Sequence, residues 1–294
     1  MQLGRRQKLL IFKVSALLSL VRWYNIFFLA LSQYLSVVFI LNEPENYWIT
    51  LKNPNLHLIV FASLLIVAGG YLINNFYDLE KDLINRPQRT VYQKIVRQST
   101  TMRLYFLFNF IGALLAAFVS INVFLFFSFF IFALWFYSHK LKKITFIGNM
   151  TAALLAITPF FATFLYYRLE DLLIITYISF ILLIIFIREI IKDLRAFKGD
   201  VIIGYPTLPV QIGIKRTKWL VFFFALLGLI PSLLIFEKTQ FSGVSYYLGI
   251  GLSLVFLSMI MLIRAQNVKD YSLLNNIYRA LIIGGIFSLI LFNK

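Results

Sequence analysis

Asn74, Asp78 and Asp82 recur at four-residue intervals in the stretch AGGYLINNFYDLEKDLINRPQRT (68–90). On an α-helix that spacing drifts by only about 40° per step, so the three side chains line one face. Carboxylates on a shared face repel unless a cation bridges them. Oxygen donors with few carboxylates suit Mg²⁺, which completes its shell with water and substrate phosphate oxygens. By spacing alone, the stripe is equally well read as a solvated helix end. A second acidic group stands in REIIKDLRAFKGDVIIGYPTLP (188–209), where Asp193 and Asp200 lie among Arg188, Lys192, Arg195 and Lys198. Two acidic groups set among basic residues suit a highly anionic, metal-chelated ligand such as a diphosphate: metal ions bridge its oxygens to carboxylates while Lys and Arg neutralise the rest. Between them, YSHKLKKITFIGN (137–149) supplies Lys140, Lys142 and Lys143. Each of these lysines is also explained by the helix dipole and by snorkelling at a helix end.

The elements that must position these groups are membrane spans. The chain has 294 residues, 61% hydrophobic and 14% charged, with 32 phenylalanines, and its mean hydropathy is +0.84. A soluble domain is about 45–50% apolar and ~25% charged, so a water-soluble fold is excluded, as are disorder and a disulfide scaffold. There is no cysteine, hence no thiolate nucleophile, iron–sulfur cluster or thiolate zinc site. Stretches of roughly the ~20 residues that a bilayer span needs fall at 17–41, 56–75, 103–120, 122–138, 148–167, 171–188, 218–236, 245–264 and 274–292. Residues 104–138 carry no Asp, Glu, Lys or Arg. As one helix they would be about 52 Å long against a ~30 Å apolar core, so they must form a hairpin turning near Ser120 to Asn122.

The formal net charge is +16, a value that could suggest nucleic acid, but its distribution excludes that reading. With the N-terminus cytoplasmic, every Lys and Arg except Lys52, Arg168, Lys238 and Lys294 falls on or near the inner side, as the positive-inside rule requires through nine spans. The N-terminus has the basic-then-apolar order of a signal peptide. Arg22 interrupts the run and no small-residue cleavage site follows, so an uncleaved first helix is expected. All inward acids except Asp270 lie in the two long inward segments 76–102 and 189–217. No soluble domain is visible, and a single domain over 1–294 is expected.

The chain resembles the UbiA-type intramembrane prenyltransferases. Their N-D-x-x-D-x-x-x-D stretch with a D-x-x-N-R-P-x-R continuation is matched by Asn74, Asp78, Asp82, Asn85, Arg86, Pro87 and Arg89. Their Y-S-x-x-L-K-…-G-N stretch is matched by Tyr137, Ser138, Leu141, Lys142, Gly148 and Asn149, and their second acidic stretch by Lys192, Asp193, Gly199, Asp200, Gly204, Thr207, Leu208 and Pro209. RWYN (22–25) is similar to the family's R-P-x-N on helix one. Three motifs occur in order at the right helix ends, and the resemblance covers the whole chain. Two positions depart: Asn75 replaces the aspartate of N-D, and Ala196 replaces the first aspartate of D-x-x-x-D. Asp193, three residues before Ala196, lies on nearly the same helical face and can substitute. NNFYD with a less acidic second motif resembles a bacterial sub-branch.

The resemblance implies an all-α polytopic fold, with nine transmembrane helices around a central cavity open to the cytoplasmic side and the membrane. It implies Mg²⁺-dependent transfer of a prenyl group from a prenyl diphosphate to a lipophilic acceptor. Asp78, Asp82 and Asp200 would be catalytic, and with Asn74 and Asp193 would hold the metal. Arg22, Asn25, Arg89, Tyr137, Lys140, Lys142 and Lys192 would contact the diphosphate. The second acidic stretch is closer to enzymes that prenylate geranylgeranylglyceryl phosphate, with a quinone-precursor ring as the runner-up. Membrane lipid is the other partner, in a bacterial inner membrane with the C-terminus extracytoplasmic. A transporter would place its ionisable residues near the midplane on broken helices. A non-catalytic relative stays open because of Asn75 and Ala196. His57 and His139 stand alone in sequence, and Pro159 either kinks its helix or simply packs.

Overall fold

In the computed structural model, residues 5–40, 47–85, 95–167, 172–239 and 242–292 are described. Thirteen α-helices account for nearly all of them: α1 Arg5–Leu20, α2 Trp23–Phe39, α3 Tyr47–Leu51, α4 Pro54–Asn85, α5 Gln98–Val119, α6 Ile121–His139, α7 Ile147–Tyr167, α8 Leu172–Ile203, α9 Leu208–Ile212, α10 Ile214–Leu227, α11 Leu229–Thr239, α12 Gly243–Arg264 and α13 Val268–Ser288. No strand occurs among the described residues. Eight helical stretches are long and apolar enough to cross a bilayer, and a ninth is made if α1 and α2 count as one broken span. The protein is an integral membrane protein.

The sequence reading is corrected at the first span. The first span is not one helix: residues 11–20 and 23–39 meet at a 57° bend, with Arg22 in the left-handed region at φ 53°. The seventh runs as one span, Ile214–Lys238, in which α10 and α11 adjoin at Gly228. The expected hairpin is present. α5 ends at Val119, Ser120 is extended, and the Ser120 hydroxyl accepts the Val123 amide at 3.2 Å, capping the start of α6.

The chain divides into two compact units, one of Met1–Ala30 with Pro54–His139 and one of Leu31–Asn53 with Lys140–Lys294. In the first, α4 packs closely on α5, and small residues make this possible. A Cβ at Gly112 would come within 2.7 Å of the fully buried Ile66 side chain, and one at Gly70 within 3.0 Å of Leu134 in α6. In lipid, where apolar side chains gain nothing by leaving the solvent, such close backbone approach is what holds helices together. In the second unit α8 is the central helix, with Phe180, Phe186, Ile184, Ile187 and Ile190 buried, and α7, α10, α11 and α13 packed around it. Pro159 lies inside α7, and its carbonyl accepts the Gln33 amide at 2.8 Å, a polar tie between α2 and α7.

α4 and α8 are each 32 residues long, about 48 Å at ~1.5 Å per residue. That exceeds a ~30 Å apolar core by more than three turns. Each continues past its apolar stretch as an unbroken helical overhang, and each overhang carries one of the two acidic groups.

Candidate functional site

On the α4 overhang, Asn74, Asp78 and Asp82 occupy one face as their spacing requires. The Asn74 side-chain amide donates to Asp78 Oδ2 at 2.9 Å, which orients that carboxylate. Asp78 is buried, whereas Asp82 is half-buried. Asn75 does not join the stripe as a ligand: it is buried, and its Nδ2 donates to the Leu20 carbonyl at 2.9 Å. Leu20 is the last residue of α1, so this satisfies an oxygen orphaned by the end of that helix. An aspartate there would oppose one acceptor with another.

The break after α1 places Arg22 on the same face of α4. Its guanidinium carbon lies 4.9 Å from the centre of the Tyr71 ring, within cation–π range. The Tyr71 hydroxyl in turn accepts the Asn25 amide at 3.0 Å. Tyr71, Asn75, Asp78 and Asp82 follow an i, i+4, i+7, i+11 pattern and fall within about 60° around the helix. Arg22, Asn25, Asn74, Asp78 and Asp82 are thus brought to one side of α4. The left-handed arginine costs about 1–2 kcal/mol, so its surroundings must over-determine it. Arg86, Pro87 and Arg89 lie outside the described residues. Tyr137 is half-buried in the last turn of α6. His139, beside it, is stacked on Trp135 at 5.4 Å and lies against Tyr77, an aromatic role that its sequence position did not signal.

In the second unit, Asp193 and Asp200 are seven residues apart on α8 and so share a face two turns apart. Asp200 is fully buried, and its main-chain carbonyl accepts the Tyr205 amide at 2.8 Å, closing the end of the helix. Asp193 is half-buried and its Oδ2 accepts the Asn149 amide at 2.7 Å. Two features invisible in the sequence place Asn149. Phe146 adopts φ 68° and packs its ring on Phe186 and Phe224. Gly148 lets α7 begin hard against the turn before it, where a Cβ would stand 2.9 Å from the Lys142 carbonyl oxygen. That turn is tied to the loop after α8: the Tyr205 hydroxyl donates to the Lys142 carbonyl at 3.2 Å, and the Thr145 hydroxyl to the Pro206 carbonyl at 2.6 Å. Asp193, Asn149, Lys142 and the loop after Asp200 are therefore linked. Lys140 and Lys143 are exposed and Lys142 half-buried. Lys192, expected to face a diphosphate, pairs with Glu189 one turn earlier on α8, and Arg188 also approaches Glu189 at 3.9 Å. Asp270, the inward acid outside both groups, accepts the Gln266 and Asn267 amides at 2.9 and 3.0 Å. It is a helix cap.

No three carboxylate or imidazole side chains converge on a metal-sized site among the described residues. Each acidic group offers one or two carboxylates with a neighbouring amide. That is the donor set of a Mg²⁺ site whose remaining positions belong to water and phosphate, and not of an all-protein cage.

Comparison with known proteins agrees with this architecture. The profile of the UbiA prenyltransferase family matches residues 36–277. Digeranylgeranylglyceryl phosphate synthase of Thermococcus gammatolerans is 32% identical over 72% of this chain and 76% of its own length. The enzyme of the same name from Sulfurisphaera tokodaii is 29% identical over 85% of this chain and 88% of its own. Among solved structures, a UbiA homologue from Archaeoglobus fulgidus bound to GPP and Mg²⁺ superposes with a TM-score of 0.67 at 15% identity, over 94% of this chain and 99% of that one. A structure of a digeranylgeranylglyceryl phosphate synthase gives a TM-score of 0.69 at 22% identity, over 95% and 99%. At these identities the structural likeness establishes the fold.

Proposed function

The chain belongs to the UbiA prenyltransferase family, and from that premise we propose that it alkylates geranylgeranylglyceryl phosphate with the prenyl group of a prenyl diphosphate, in a Mg²⁺-dependent reaction. The observation that carries the proposal is the α4 face: two carboxylates on the helical overhang, one held by Asn74, with the Arg22 cation held over Tyr71 two turns before Asp78 on the same face. The relatives named above carry in their names the product that this transfer would make, digeranylgeranylglyceryl phosphate, and the second acidic stretch resembles enzymes that use the same acceptor.

Asp78 and Asp82, with Asn74, and Asp200 with Asp193 are the residues that would hold Mg²⁺. When bound, the metal withdraws electron density from the diphosphate and so favours its departure. Arg22, Arg89, Lys140, Lys142 and Lys192 neutralise the phosphate oxygens, with Asn25 and Tyr137 as further contacts. Lys192 must exchange Glu189 for phosphate to do so. Charge collecting on the leaving group is thereby stabilised as the C–O bond breaks. The bonding pair leaves with the diphosphate, an allylic cation remains, and the acceptor hydroxyl oxygen closes the new C–O bond with loss of its proton. Family matching from residue 36 to 277 crosses both compact units, which supports treating 1–294 as one catalytic domain. The distribution of Lys and Arg supports a cytoplasmic N-terminus and an extracytoplasmic C-terminus. The NNFYD form of the first motif supports a bacterial inner membrane, although the relatives named above are archaeal.

The test is incubation of purified protein with Mg²⁺, geranylgeranyl diphosphate and a panel of acceptors. The expected result is a Mg²⁺-dependent ether lipid from geranylgeranylglyceryl phosphate. Products from 4-hydroxybenzoate alone would overturn the acceptor, and no consumption of any prenyl diphosphate would overturn the reaction.

A further inference from the structure

Asn75 is the chain's departure from the first acidic motif, and it occupies a position where a carboxylate would add a metal ligand. Its geometry assigns it other work. We propose that Asn75 is a positioning residue: it fastens the break between α1 and α2 and so holds Arg22 on the carboxylate face of α4. The proposal rests on the reading of Arg22 as a diphosphate contact given above.

The argument runs from the break outward. α1 ends at Leu20, and two residues later Arg22 sits at φ 53°, a conformation that favours glycine. Local hydrogen bonds from Val21 to Leu17 and from Arg22 to Ser19 finish the helix, and Asn25 reaches back to the Arg22 carbonyl to start α2. None of them ties the break to α4. Two contacts do. Asn75 donates to the Leu20 carbonyl at 2.9 Å, and Tyr71, one turn earlier on α4, receives both the Asn25 amide and the Arg22 guanidinium. Asn75 therefore holds the α1 side of the bend and Tyr71 the α2 side, with Arg22 between them. Asn75 is buried, so its amide bond to Leu20 is shielded from competing water and its loss leaves a buried carbonyl unsatisfied. Only a donor serves here. Asparagine at 75 exchanges a possible ligand for a fixed cation, which accounts for the departure without inactivity.

Asn75→Asp tests this, because it keeps the side-chain volume, restores the family's carboxylate and removes the donor. The chain has no cysteine, so spin labels can be placed through Val14→Cys on α1 and Phe27→Cys on α2, both exposed. The labelled parent should give one narrow distance and the Asn75→Asp background a broadened or displaced one. In turnover, Asn75→Asp should raise KM for geranylgeranyl diphosphate about tenfold, with kcat and the Mg²⁺ half-saturation little changed. On an Arg22→Ala background the same substitution should add less than about twofold, since both act through one group. A fall in the Mg²⁺ half-saturation would overturn the proposal by showing that position 75 is a ligand site. Unchanged label distances, or effects that multiply across the two backgrounds, would overturn it too. If the parent protein consumes no prenyl diphosphate, the functional reading fails by itself. The label distances, read alongside the affinity of parent and Asn75→Asp for inorganic pyrophosphate with Mg²⁺, still decide the role of Asn75.

Discussion

Asp78 and Asp82 share a motif but not an environment, and substitutions must respect that. Asp78 is buried and bonded to Asn74, where the sequence placed it at a solvent-accessible helix end. Asp78→Asn is therefore the informative change, since it keeps the volume and removes the charge, while Asp82→Ala suffices at the half-exposed position. Each should abolish turnover. Retention of more than about a tenth of the activity, ~1.4 kcal/mol in the barrier, would remove that residue from the mechanism. Asp193 has Asn149 as a partner, so its carboxylate is oriented. Asp193→Asn should raise the Mg²⁺ half-saturation, and Asn149→Ala should do so by a smaller factor. Ala196→Asp, which adds a carboxylate one turn from Asp200, should be tolerated. An unchanged rate and half-saturation for Asp193→Asn would leave Asp200 as the sole acid of the second group. The carboxylates themselves were legible from spacing, because period four on a helix is geometry. The partners were not: Asn75 with Leu20 and Asn149 with Asp193 join residues 55 and 44 positions apart, and no local pattern encodes such pairs.

At the scale of elements, α4 and α8 combine a bilayer-spanning stretch with an aqueous overhang in one rigid rod, so each carboxylate group is referenced to a buried helix core. Hydropathy alone ends each span near residues 75 and 188 and gives no sign that the helix continues, because propensity is a weak guide once apolar periodicity stops. The bend at Arg22 was equally hidden, since a left-handed residue without glycine leaves no trace in composition. Two glycines separate packing from function. Gly112→Ala sets a methyl group 2.7 Å from the fully buried Ile66. It should destabilise the protein by about 1–3 kcal/mol, seen as a lower melting temperature in detergent, and the loss should shrink in an Ile66→Ala background. Gly148→Ala presses on the Lys142 backbone at 2.9 Å, outside the apolar core. Its expected signature is reduced turnover with little change in melting temperature, because it shifts the turn that carries Lys142 and Asn149. Equal effects of both substitutions on melting would contradict this division.

For the whole molecule, the span count decides where the chemistry can happen. In the proposed function the segments 76–102 and 189–217 both face the cytoplasm, which calls for an even number of crossings between them. The distribution of Lys and Arg requires the same. The crossing that sets the count is the first, where α1 and α2 meet at 57° and form either one broken span or a re-entrant pair. A broken span makes nine crossings and puts the termini on opposite sides, whereas a re-entrant pair makes eight and puts them on the same side. Arg5, Arg6 and Lys8 at the start of α1, with Arg22 at the bend, would be drawn to anionic headgroups and phosphate on the inner face. The chain from Trp23 to Phe39 is 17 residues without charge, long enough to complete the crossing at ~1.5 Å per residue. The prediction is nine. A protease-sensitive tag on the C-terminus should be cleaved from the outside in intact cells, and one on the N-terminus only after permeabilisation. Cleavage of both tags under the same condition would make the α1–α2 pair re-entrant and reverse the assignment of one terminus.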